Sequence, residues 1–108
     1  MPDKNLVIGL DGSPSESLAL ITRRKKVSFI PTNSDQAVTV RFVGEGTPFS
    51  DWRSSSKTAP RGRALTGKVR ADAEGSFSYD ATSVSISGRI HRRPRPTANP
   101  QLIVDGGR

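Results

Sequence analysis

Between residues 65 and 81 the chain reads Leu65-Thr66-Gly67-Lys68-Val69-Arg70-Ala71, then Asp72-Ala73-Glu74-Gly75, then Ser76-Phe77-Ser78-Tyr79-Asp80-Ala81. In both flanking runs an apolar or small residue alternates with a polar one, the period of two that sends successive side chains to opposite faces of a strand. The Asp72 to Gly75 stretch is turn chemistry, so the segment is expected to form a hairpin. Outward from it the rhythm recurs. Val38, Val40 and Phe42 alternate with Thr39 and Arg41, and Val84, Ile86, Gly88 and Ile90 alternate with Ser83, Ser85, Ser87 and Arg89. Shorter apolar runs at Leu6 to Leu10, Val27 to Ile30 and Leu102 to Val104 are bounded by Gly, Pro, Asn or Asp and suit buried strands. Seven or eight short strands of this kind predict an all-β fold, a single-domain β-sandwich with antiparallel or mixed sheets. Phe29, Val38, Val40, Phe42, Val69, Phe77, Tyr79, Ile86 and Val104 are the inward members and the expected core.

Three stretches break the rhythm. Ser13-Pro14-Ser15-Glu16 is a capping box with Pro at the first helical position, which allows a short helix over residues 14–22. A strand over Leu18 to Thr22 is preferred, with Arg23 to Lys26 as the turn into the Val27 strand. Residues 44–64 carry no periodicity, only Gly, Pro, Ser and cations interrupted by Phe49 and Trp52, and are expected to form a long loop. Residues 91–100, His-Arg-Arg-Pro-Arg-Pro-Thr-Ala-Asn-Pro, read as an extended Pro/Arg-rich arm. The whole of 1–108 is then one domain with a long loop and an arm.

Composition excludes several chemistries. The 108 residues hold no Cys and one His, so thiol redox chemistry, disulfides, thiolate metal sites and His-rich metal sites are all ruled out. No signal-peptide h-region opens the chain, and nothing approaches the run of about 18 apolar residues that a membrane helix needs. No membrane insertion is expected, and a cytoplasmic location follows unless a signal peptide has been removed.

The order of signals from Val27 onward resembles the cupredoxin-like sandwich. Val27-Ser28-Phe29-Ile30-Pro31-Thr32-Asn33 is similar to the strand that leads to the first copper histidine of that family. Gly75-Ser76-Phe77-Ser78-Tyr79-Asp80-Ala81 is similar to the strand that delivers its copper cysteine, and Leu102-Ile103-Val104 to its final strand. An immunoglobulin-like sandwich is the alternative. The resemblance puts the cysteine position on Ala81, the following histidine near Val84 and the first histidine on Ala37 or Val38. Blue copper requires a thiolate and imidazoles, so the resemblance implies a scaffold without the metal, and no cofactor is expected.

Among candidate sites, His91 stands among cations with no carboxylate close in sequence, and reads as a surface residue rather than a base. No G-x-S-x-G elbow is present for Ser-His-Asp catalysis. Asp72, Glu74 and Asp80 lack the ligand spacing of a calcium loop and read as solvated turn residues. Cations remain. Net charge is +7, and the positive residues cluster at Arg23 to Lys26, at Arg53, Lys57, Arg61, Arg63, Lys68 and Arg70, and at Arg92, Arg93 and Arg95. With Trp52 and Phe49 beside them, they offer a polyanion or partner surface, or a stacking platform for single-stranded nucleic acid; the alternative is that the two aromatics plug the end of the sandwich. The leading reading is a non-catalytic, metal-free binding module for a protein partner that the sequence does not identify. Its rival is a basic nucleic-acid-binding domain using the cations of 53–70 and 92–95, and a hydrolase with an unrecognised site is a third class. Spatial convergence of the basic clusters favours the rival, and dispersal favours the leading reading.

Overall fold

The computed structural model describes residues 3–9, 11–43, 46–84, 90–91 and 99–104, with the side chains of Ile90 and His91 outside that description. Nine strands run through them: β1 (Lys4–Ile8), β2 (Leu18–Ile21), β3 (Lys26–Pro31), β4 (Ala37–Phe42), β5 (Ser56–Thr58), β6 (Leu65–Lys68), β7 (Gly75–Val84), β8 (Ile90–His91) and β9 (Gln101–Val104). They form two sheets, one in the order β1-β3-β6 and one in the order β2-β9-β7-β4-β5, with β8 pairing the far end of β7. Both sheets are mixed, since β1 runs parallel to β3 and β2 parallel to β9 while the other pairs are antiparallel. The fold is an all-β sandwich. No helix occurs among the described residues, and so none is long and apolar enough to cross a membrane.

Alternation decides what the two sheets bury. Leu6 and Ile8 of β1, Val27 and Phe29 of β3 and Leu65 of β6 turn inward from the smaller sheet. Ala19 and Ile21 of β2, Val38, Val40 and Phe42 of β4, Tyr79 and Ala81 of β7, and Leu102 and Val104 of β9 meet them from the larger one. At the centre are aromatic rings in edge-on contact, Phe29 with Tyr79 at 5.5 Å and Phe42 with Phe49 at 5.5 Å between centroids. Such pairs contribute about 0.5–1.5 kcal/mol beyond the area they bury.

Several expectations are corrected. The two runs between residues 65 and 81 do not form a hairpin: β6 pairs β3 in one sheet, and β7 pairs β4 and β9 in the other. Each run has one apolar face, and placed in opposite sheets those faces bury each other across the core instead of lying side by side. The crossover is pinned by Arg24 N–H donating to Val69 C=O and Val69 N–H to Lys25 C=O, both at 2.9 Å. Ala73 is thereby buried in the connection while Ala71 is exposed. Phe77 is only partly buried against the core, and Thr82 to Val84 prolong β7 rather than opening a new strand. Ile86, with most of the run expected from Val84 to Ile90, lies outside the described residues. Residues 14–22 form no helix; Pro14 bridges Ile8 and the strand begins at Leu18, as preferred.

The 44–64 segment is also more ordered than a loop. It contains β5, which pairs β4 through Thr39↔Thr58, Val40↔Lys57 and Arg41↔Ser56. Before β5, residues 48–52 run along the outer edge of β6. Arg70 N–H donates to Pro48 C=O and Ser50 N–H to Lys68 C=O, each at 2.8 Å. Lys68 N–H donates to Asp51 Oδ1 at 3.0 Å, and the Trp52 indole Nε1–H to Thr66 C=O at 2.9 Å. Phe49 then lies flat over Gly67, where any Cβ would collide with its ring, so this strand position accepts only glycine.

Candidate functional site

One end of the sandwich is where β1 and β3 finish and β4 begins, and Gln36 organises it. Its side chain is fully buried. Oε1 accepts from Thr32 N–H at 2.9 Å and Asn33 N–H at 3.1 Å, while Nε2 donates to Ile8 C=O at 3.0 Å and Gly9 C=O at 3.2 Å. The amide thus uses both its ends on backbone, supplying an acceptor for the N–H groups of Thr32 and Asn33 and a donor shared with other partners at Ile8 C=O and Gly9 C=O, which explains a buried glutamine amid an apolar core. Thr32 Oγ1 adds a donation to Ile8 C=O at 2.7 Å. Gly12, with a φ of 88°, brings its turn against the backbone of Ala81 so closely that a Cβ there would collide with the Ala81 carbonyl.

The β4–β7 register gathers the positions that the family resemblance marks. Ala37 lies opposite Val84, Val38 opposite Ser83 and Val40 opposite Ala81. Val38, Ala81 and Ser83 are buried; Ala37 and Val84 are half-buried on the other face. Alkyl side chains carry no donor atom, and the one polar group among these positions, the Ser83 hydroxyl, is fully buried with no hydrogen-bond partner among the described residues. A lone neutral hydroxyl is not a ligand set for copper, which wants thiolate and imidazole. The described side chains at these positions therefore do not fit that metal. The β8 backbone places His91 in register with Ser83, and its side chain lies outside the described residues.

Several of the described carboxylates are engaged with cations or backbone amides. Glu16 pairs Lys4 at 2.6 Å, Asp72 faces Arg70 at 3.6 Å, and Glu74 faces Arg23 at 4.0 Å. Asp3 accepts from Lys26 N–H at 3.0 Å, and Asp11 accepts from Ser13 N–H at 2.9 Å. Among the described residues no group of three or more His, Cys, Asp or Glu is placed to hold a metal ion.

The cations are dispersed. Arg61 and Arg63 are exposed at the Gln36 end, where Gly62 N–H donates to Gln36 C=O at 2.9 Å. Arg24, Lys25 and Lys26 are exposed at the opposite end of β3, with Lys26 directly across from Lys68. The length of β3 from Lys26 to Pro31 separates these two groups, roughly 17 Å at strand rise. Arg53 flanks the β6 edge and Lys57 sits on the β5 edge, both exposed. Arg92, Arg93 and Arg95 lie outside the described residues. Trp52 does not belong to the surface: only 7% of it is exposed, its ring packs on Phe42 and Phe49, and its N–H is spent on β6. No open indole face is left for a base to stack on, and of the two alternatives for the aromatics it is the plug that the structure displays.

Sequence reasoning passed over Gln36, because a single glutamine before a strand carries no signal of burial. It also passed over Leu18 and Leu20, which are 61% and 60% exposed. Leu18-Ala19-Leu20-Ile21 is apolar at every position, so alternation could not say which face looks out.

No family model and no curated protein matches this sequence. Among solved structures, a copper-binding protein determined by NMR in solution in its apo form is similar over 97% of this chain and 98% of its own, at 13% identity and a TM-score of 0.46.

Proposed function

We propose that the chain is a non-catalytic, metal-free interaction module on a cupredoxin-like sandwich, presenting the 44–64 segment and the 91–100 arm to a protein partner. The observation that carries this reading is the β4–β7 register. The positions that the resemblance would reserve for copper ligands fall on the adjoining strands β4 and β7 as Ala37, Val38, Ala81 and Val84, with Val38 and Ala81 turned into the core and Ala37 and Val84 on the opposite face. Apolar side chains at these positions support a reading without a bound copper. Carboxylates engaged with Lys4, Arg23 and Arg70 and with backbone amides further support a role in structure over acid–base chemistry.

Dispersal of the described cations over both ends supports this reading against a nucleic-acid-binding domain. Titration with Cu(II) followed by visible absorption is expected to give no intense charge-transfer band, and a tight stoichiometric site that survives substitution of His91 would overturn the proposal. Fluorescence anisotropy with single- and double-stranded oligonucleotides supplies the second arm. Association typical of a +7 chain is erased by modest salt, whereas phosphate-directed binding follows a slope of about −0.9 per contact on duplex and −0.7 on single strands. Submicromolar binding that persists near physiological salt would instead establish the nucleic-acid reading.

A further inference from the structure

A β-sandwich has strand edges, and an open edge is a template for another strand unless it is covered or charged. Here three of the sheet edges are closed. The β1 edge is bridged by Pro14 on Ile8, with Ser15 N–H donating to Val7 C=O at 2.8 Å and Ser15 Oγ accepting from Val7 N–H at 3.1 Å. Residues 48–52 cover the β6 edge through backbone, carboxylate and indole hydrogen bonds. The β5 edge is three residues long and carries Lys57 at its centre. Among the described residues, nothing covers the β2 edge and no charge lies on it.

Backbone phase shows what that edge offers. Gln101 N–H donates to Ser17 C=O at 2.8 Å, and in a parallel ladder alternate residues face the same neighbour. Ser17, Ala19 and Ile21 therefore face β9, and the N–H and C=O groups of Leu18 and Leu20 face outward. No described residue hydrogen-bonds them. The same two residues expose their side chains, beside half-buried Ile103 in register with Leu20. Donors, acceptors and apolar surface thus coincide on one uncharged strand.

Charge selects the occupant. The strand runs directly into Arg23-Arg24-Lys25-Lys26, of which the last three are exposed, while Arg23 is drawn away to Ala73 C=O at 2.6 Å and to Glu74. A second copy would bring another +7 chain against this cluster. We propose that the free edge of β2 takes up an extended, acidic segment of a partner protein as an added strand, with its apolar side chains on Leu18, Leu20 and Ile103 and its carboxylates on Arg24, Lys25 and Lys26. Main-chain bonding supplies the affinity of such a contact and the flanking charge its register. β2 and β5, the strand within the 44–64 segment, lie at opposite margins of the larger sheet, so failure of the β2 test leaves the reading of the 44–64 segment standing.

Amide hydrogen exchange on the free full-length chain is the first arm of the test. Leu18 and Leu20 amides are expected to exchange fast, with Ala19 and Ile21 protected; protection of the leucine amides would mean the edge is already occupied, by a second copy or by another segment, and would overturn the proposal. Selection of displayed random dodecapeptides against the chain is the second. Enriched peptides are expected to alternate β-branched or aromatic residues with polar ones and to carry Asp or Glu at one end. A synthetic peptide of that consensus should lose affinity about tenfold or more when its alternate amides are N-methylated, and equally on the Leu18→Lys, Leu20→Lys double variant. Those side chains are exposed, so the variant should keep the wild-type melting curve. Failure to enrich any peptide, enrichment of neutral or basic ones, or indifference to N-methylation or to the lysines would each overturn the proposal.

Discussion

Gln36 shows how much one buried side chain can settle, because its amide binds four backbone groups where β1 and β3 end. Gln36→Glu preserves shape but turns an ionised oxygen toward the carbonyls of Ile8 and Gly9, which raises the carboxyl's folded-state pKa. Folding then favours the protonated acid. The stability deficit should be small in acid and grow as pH rises above the unfolded-state value of about 4.3, measurable by urea melts across pH; a deficit independent of pH would contradict this account of the amide. At Gly67 the constraint is steric. A Cβ would strike the Phe49 ring, and overpacking of this kind costs about 1–3 kcal/mol, so Gly67→Ala should lower the denaturation midpoint by a corresponding amount.

The 48–52 segment does for β6 what a paired strand would do, and Trp52 is its anchor. Trp52→Ala should cost about 3–5 kcal/mol, a large share of the roughly 5–15 kcal/mol available to a domain, as read by thermal or urea unfolding. A variant as stable as the wild type would place the indole outside the core. Alternation made β4 and β7 legible, since each buries one face and leaves the other half-buried or exposed, whereas β3 buries Val27, Ser28 and Phe29 in succession and was legible as a bounded apolar run. It did not reveal partners: β6 and β7 have the same pattern whether they share a sheet or face each other, and it is the pairing of β6 with β3 and of β7 with β4 and β9 that shows which. The candidate site was less legible still. Trp52 beside Arg53 looks the same in sequence whether the ring meets solvent or Phe42, and Ser83 gives no hint that its hydroxyl is buried.

Across the whole molecule, the larger sheet has its last strand in the middle: β9 lies between β2 and β7, so Leu18 waits for Gln101 and Phe77 waits for Leu102. Contacts this distant in sequence pay their loop-closure entropy late, which sets β-sandwich folding in the range of milliseconds to seconds. Leu102→Ala, which thins the contact of the closing strand, should chiefly accelerate unfolding if that strand docks after the transition state, and stopped-flow chevrons separate this from a slowed refolding limb. A nascent chain therefore emerges with β2 and β7 both exposing unpaired edges, and the whole sheet is completed only once residues 101–104 have left the ribosome. Aggregation during synthesis, more than loss of the finished fold, is then the hazard that substitutions in this short terminal strand would bring.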